Sequence, residues 1–272
     1  MELSIVMLNF NRPDYIKNNI IPKIRNSCDE IIVSHGKKET AFSHPDIKSL
    51  KHYGRMNKEY GLSLRFLSCL EARNEFVLIM DDDIIPTKDT ITFLYKKIQE
   101  DPTRIHGLYG RNTINNYSVD NCFGEVPVVL TRCLITTKNM CNYYMNHFRN
   151  FESSLVKNSK PYWNGEDILF SLLSIKKNDK LNKAYNLSHT NKWSNYLNFS
   201  TSISLNDGHI KYRKKVTEEF IKKLDLEKKI KNGTNISYKK NQIVYFIVNS
   251  DLIYIIFFLL IAALLIIYKK FY

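Results

Sequence analysis

Phe76-Val77-Leu78-Ile79-Met80 runs without a polar break into Asp81-Asp82-Asp83. Five consecutive apolar residues are too few for a buried helix. They suit a strand covered on both faces of a sheet. Three carboxylates then stand together where that strand ends. Toward the N-terminus, Leu3 to Leu8 is a second apolar run, closed by Asn9-Phe10-Asn11-Arg12-Pro13. Pro13 cannot continue a strand but suits a helix start. The pattern predicts a helix over 14–27 and a strand over Glu30 to Ser34. This β-α-β opening predicts an α/β fold with a doubly wound sheet. Ligands of such sheets bind at the carboxyl ends of the strands. Asn9, Asn11, Arg12, Ser34 and His35 are candidates by position alone. Further helices are expected over 62–74, 89–100, 137–157, 166–177 and 216–231, and strands over 105–109 and 126–131.

The chain has 272 residues, of which 44% are hydrophobic and 12% aromatic. That supports a core and excludes a disordered chain; nine Gly exclude a collagen-like one. Net charge is +13, and residues 211–240 hold eleven Lys/Arg against four Asp/Glu. Concentrated charge of this kind points away from a nucleic-acid surface, because it precedes an apolar segment. That segment, Leu252 to Tyr268, is expected to be a single transmembrane helix, closed by Lys269 and Lys270. A polytopic membrane protein is excluded, since no other stretch is apolar enough. The N-terminus lacks the basic, apolar pattern of a signal peptide, so a C-terminally anchored protein is expected. Cys28, Cys69, Cys122, Cys133 and Cys141 show no paired metal spacing. Five N-x-[ST] sequons are close to chance for a chain this rich in Asn and carry no inference.

Three adjacent carboxylates repel one another, and each raises its neighbours' pKa. They read either as a solvated acidic turn or as a cation site. Oxygen-only ligands suit Mg²⁺ or Mn²⁺. Such an ion completes its shell with phosphate and water, as in sites that hold a nucleotide diphosphate. A second constellation is Trp163-Asn164-Gly165-Glu166-Asp167, which opens a helix. Its acids read either as helix-dipole caps or, beside an aromatic, as a sugar site. A third, Gly208-His209-Ile210-Lys211-Tyr212-Arg213, reads alternatively as a loop entering a basic helix.

In this order the pieces resemble the exostosin-like glycosyltransferases of glycosyltransferase family 64. The likeness covers roughly residues 3–225 and rests on six segments in register: SIVMLNFNRPDYI, VLIMDDDI, DPTRIHGLYGR, VPVVLTRCLI, NGEDILFSLL and GHIKYRKKVTEEF. The resemblance implies a GT-A type α/β domain over 1–225. A basic juxtamembrane segment (226–251), the membrane helix (252–268) and a short tail (269–272) follow it. It also implies retaining transfer of a hexose or N-acetylhexosamine from a UDP-sugar to a glycan or protein-linked acceptor, with Mn²⁺. Asn11, Arg12, Arg65, Asp81 and Asp82 would line the donor. Asp83, with Asp81, would ligate the metal. Asp167, Glu166 and Arg213 would serve catalysis, Arg213 on the diphosphate side. Trp163, Asn164 and His209 would contact substrate.

The chain departs from the family pattern in two places. Leu62-Ser63-Leu64-Arg65-Phe66 lacks two Asn that relatives carry before the Arg. Gly165 and Val216 stand where relatives carry a pair of cysteines able to form a disulfide, as suits a domain in reducing cytosol. The Lys/Arg-rich flank before the span likewise predicts a cytosolic catalytic domain. Two other readings are an inverting transferase of the broad family-2 type and an inactive nucleotide-sugar-like membrane scaffold.

Overall fold

The computed structural model describes residues 1–114, 117–155, 164–187 and 208–233. The expected membrane span and tail, and Trp163, lie outside the described residues. Among the described residues no helix is long and apolar enough to cross a membrane.

The strands are β1 (Leu3–Asn9), β2 (Glu30–His35), β3 (Lys48–Lys51), β4 (Phe76–Met80), β5 (His106–Gly107), β6 (Gly110–Arg111), β7 (Gly124–Val126), β8 (Val128–Val129), β9 (Cys133–Thr137) and β10 (Asn182–Ala184). The helices are α1 (Pro13–Tyr15), α2 (Ile21–Ile24), α3 (Arg55–Tyr60), α4 (Leu64–Leu70), α5 (Lys88–Glu100), α6 (Lys138–His147), α7 (Glu152–Leu155), α8 (Glu166–Asn178) and α9 (His209–Leu224). A π-helical turn, Ile16–Ile20, joins α1 to α2.

Eight strands form one sheet in the order β3-β2-β1-β4-β9-β5-β10-β7. The first four are mutually parallel, as the β-α-β opening predicts. Beyond β4 the sheet is mixed, because β9 runs antiparallel to both β4 and β5. The expectation of a doubly wound sheet therefore holds for the N-terminal half only. A short second sheet pairs β6 with β8. The expected strand over 126–131 is split at Pro127. Proline has no N–H to donate; β7 pairs with β10, while β8 pairs with β6.

β4 is covered on both faces, which explains its unbroken apolar run. Ile5, Leu78 and Ile135 lie side by side in β1, β4 and β9. They pack on Ile16, Ile20, Ile21 and Ile24, and on Ile91, Leu94 and Ile98 of α5. On the opposite face Val6, Ile79 and Leu134 meet α4, α6, α8 and α9. Phe66 of α4 stacks on Phe170 of α8 at 4.2 Å between ring centres. Tyr144 of α6 adds a ring at 4.4 Å from Phe66. Its hydroxyl shares a 2.8 Å hydrogen bond with Ser63. Gly107 is required where β5 meets β9: a Cβ there would lie 2.5 Å from Val129 and 2.7 Å from the Cys133 carbonyl.

Candidate active site

The ends of β1 and β4, the start of α8 and the first turns of α9 supply the charged residues. α8 and α9 each begin directly after a left-handed glycine, Gly165 (φ +94°) and Gly208 (φ +76°). Only glycine turns a chain into a helix this way without strain. Gly165 thereby delivers Glu166 and Asp167 into the first turn of α8. The first ten residues of that helix, Glu166 to Ile175, are all buried, so its two acids are not solvated dipole caps. A Cβ on Gly165 would lie 3.2 Å from Val216 of α9. Gly165 and Val216 are thus neighbours here, and all five cysteines of this chain are free.

Three guanidiniums bind the five carboxylates into one network. Arg12, in the turn after β1, pairs with Asp82 and lies 3.8 Å from Asp83. Arg65, on the buried face of α4, donates to Asp81 Oδ1 at 2.9 Å and to Thr131 Oγ1 at 2.5 Å. Its Nε donates to the Leu62 carbonyl at 3.2 Å and stands 3.7 Å from Glu166 Oε1. Arg65 therefore links the end of β4 to the start of α8. Arg213 donates from Nη2 to both oxygens of Asp167 (3.0 and 2.8 Å), from Nη1 to Asn164 Oδ1 (2.7 Å) and from Nε to the Tyr117 hydroxyl (2.9 Å). The Tyr117 ring also faces this guanidinium, at 4.8 Å from its centre.

These groups lie in a low-dielectric setting, and their titration reflects it. Burial, then the charge of Asp167, pushes Glu166 up to about 7. Burial, opposed by Arg12, pushes Asp82 up to about 6. Asp83 is raised by burial and by Asp81. Burial alone would lower Arg213, but Asp167 holds it well above the ordinary guanidinium value. Arg65 is likewise raised against its burial, by Asp81 and Glu166.

With every group ionised, the three arginines leave the five carboxylates two negative charges in excess. Arg132, whose charge also reaches Asp83, reduces that excess. Among the described residues, Asp83 Oδ1 and Glu166 Oε2 are shielded from solvent and accept no hydrogen bond. A divalent cation fits the strand end on that observation: a hard oxygen without a partner, in a site of surplus negative charge. Among the described residues no three His, Cys, Asp or Glu side chains converge to hold a metal ion. Phosphate and water would thus supply much of its shell, as Mg²⁺ and Mn²⁺ commonly require.

The site thus brings together Arg12, Arg65, Asp81, Asp82, Asp83, Asn164, Glu166, Asp167 and Arg213. Asn11 stands at its edge, where its Oδ1 accepts from Lys37 at 2.7 Å. His209 is the first residue of α9, four positions before Arg213. Asn9, Ser34 and His35 are buried beneath the strand ends. Asn9 Nδ2 donates to the Thr40 carbonyl at 2.7 Å and meets His35 Nδ1 at 2.9 Å; these residues brace the 36–42 loop. Sequence reasoning missed Tyr117 and Thr131, which orient Arg213 and Arg65. Tyr117 lies in no segment singled out by its sequence, and Thr131 lies in VPVVLTRCLI, where nothing in the sequence marks its hydroxyl as a partner.

The model of the glycosyl transferase family 64 domain matches residues 3–238. No curated protein matches the chain. Among solved structures, residues 1–349 of S. aureus TarS are similar at 15% identity and a TM-score of 0.45, covering 71% of this chain and 60% of that one. The longer S. aureus TarS structure aligns at 14% identity and 0.46, covering 71% of this chain and 36% of its own length. This chain therefore spans about 60% or less of those proteins. The family match takes in both ends of the charged network, from Arg12 to Arg213, and the chain belongs to glycosyl transferase family 64.

Proposed function

We propose that this family 64 chain is a GT-A type, metal-dependent, retaining glycosyltransferase. It moves a hexose or N-acetylhexosamine from a UDP-sugar to a glycan or protein-linked acceptor. The observation that supports this reading is the pairing pattern at the end of β4. Arg65 and Arg12 hold Asp81 and Asp82, while Asp83 keeps one shielded oxygen without a partner. Asp83, with Asp81, would hold Mn²⁺ or Mg²⁺; when bound, that ion supplies positive charge beside the leaving diphosphate. Arg12 and Arg65 keep the neighbouring carboxylates in place and limit their repulsion. Arg213 holds both oxygens of Asp167 by hydrogen bonds, so that a fixed carboxylate faces the positive charge growing on the sugar ring. To reach a diphosphate as well, Arg213 has one Nη1 proton not engaged by Asn164.

Membrane attachment belongs to the same proposal. Residues 252–268 would anchor the protein, with the catalytic domain in the cytosol and no nucleic acid as partner. Calorimetry with UDP, with and without Mn²⁺, tests the site. UDP should bind more tightly with the ion, and Asp83→Ala should abolish that difference. Equal UDP affinity in EDTA and in Mn²⁺ would refute the metal role.

A further inference from the structure

An acceptor hydroxyl must lose its proton as its oxygen bonds to the sugar, and the carboxylates of this site are not equally open to take it. Asp167 spends both oxygens on Arg213, and its Oδ1 also accepts from the Ile168 N–H at 2.8 Å. Asp81 accepts from Arg65, and Asp82 from Arg12. Asp83 is the oxygen assigned above to a cation. Glu166 differs from all of them. Its residue is 3% exposed, its Oε2 has no partner among the described residues, and its Oε1 faces Arg65 Nε at 3.7 Å without a hydrogen bond to it. A buried carboxyl left this way is costly unless something else satisfies it.

We propose that Glu166 is the general base of the transfer, with Oε2 taking the acceptor's proton. This inference rests on the glycosyl-transfer reading. The acceptor O–H donates to Oε2, and the acceptor oxygen bonds to the anomeric carbon on the face from which the diphosphate leaves, as retention requires. The bond from that carbon to the diphosphate breaks, and its electron pair leaves with UDP. The proton stays on Glu166 and passes to solvent once product departs. Among the described residues, the charged and titratable groups around Glu166 are Asp167 on its own helix, Arg65 from α4, and Arg213 and Tyr212 from α9. Asp167 favours the protonated form; the two guanidiniums favour the ionised one. The balance sets the group near neutrality, where a general base is most effective.

Donor hydrolysis tests this, because water as acceptor must lose a proton whereas azide carries none. The full chain is given UDP-N-acetylglucosamine, UDP-glucose or UDP-galactose with Mn²⁺, with or without sodium azide. Wild type should hydrolyse at least one donor, with a rate that rises with pH through about 7. Glu166→Gln should bind UDP as wild type does and lose hydrolysis by roughly 10²–10⁴-fold. Azide should restore its turnover by forming the glycosyl azide. Hydrolysis at near wild-type rate in Glu166→Gln would overturn the assignment, as would a loss that azide does not repair. If the variant fails to fold, the wild-type profile decides: a rate flat from about pH 5 to about pH 9 refutes the base. A wild type silent with every donor would bring down the transfer reading and this inference with it; an active wild type beside an active variant removes the inference alone.

Discussion

Glu166→Gln should make the protein more stable, and by an amount that depends on pH. In the folded chain the Glu166 carboxyl keeps its proton up to about 7, against 4.5 for an ordinary glutamate. Between those values the unfolded state has released a proton that the folded state still holds. Wild-type stability is therefore complete below about pH 4.5 and eroded as pH rises to about 7. Each pKa unit corresponds to about 1.4 kcal/mol, so the full loss is about 3 kcal/mol. Glutamine has the same shape and no titration. The stability difference between variant and wild type should thus widen by about 3 kcal/mol between about pH 4.5 and about pH 8. Titrating groups remote from Glu166 are common to both proteins and cancel. Urea unfolding of the two across that range measures the difference directly. A difference that stays constant within about 0.5 kcal/mol would mean that Glu166 ionises at its ordinary value when folded, and the electrostatic account of the site would be wrong.

Three further outcomes are expected. Arg213→Met should cost roughly 3–5 kcal/mol in urea unfolding, since it strands the buried Asp167; adding Asp167→Asn should recover much of that, and a single-variant cost under about 1 kcal/mol would contradict the buried pair. Tyr117→Phe leaves the Arg213 Nε–H without an acceptor and should cost about 1–3 kcal/mol by the same assay, with no change meaning that the hydroxyl is not the partner. Protease added outside sealed microsomes should digest the catalytic domain, because the Lys/Arg-rich flank before residues 252–268 favours the cytosolic side; full protection with glycans on the sequons would place it in the lumen.

What the sequence disclosed and what it hid divide along physical lines. β4 was legible because burial on both faces demands an unbroken apolar run, and the acids after it were conspicuous because that position is costly for them. β9 was not: Cys133-Leu-Ile-Thr-Thr137 is short and flows into α6, and its ladders with β5 and with β4, the latter more than fifty residues earlier, make it a strand. The mixed half of the sheet was hidden with it. The expected helix over 137–157 is interrupted for a similar reason. α6 ends at His147, and a 3₁₀ turn over Phe148–Phe151 buries both of its Phe rings before α7 begins.

The site shows the same division at the level of single charges. A sequence marks which ionisable residues will be expensive to bury, since Asp81 to Asp83, Glu166 and Asp167 all border apolar runs. It does not show which cation compensates each. Arg213, expected on the diphosphate side, is laid by the fold across Asp167, Asn164 and Tyr117, residues that lie 46 to 96 positions away in the chain. Arg65, expected to line the donor, spans from Asp81 to Glu166. Pairings of that separation are decided by how α4, α8 and α9 pack on one face of the sheet. Once those helices are in place, Asp167 is fully engaged and Glu166 is not. That difference, invisible in two adjacent letters, is what separates an electrostatic role from a proton-accepting one.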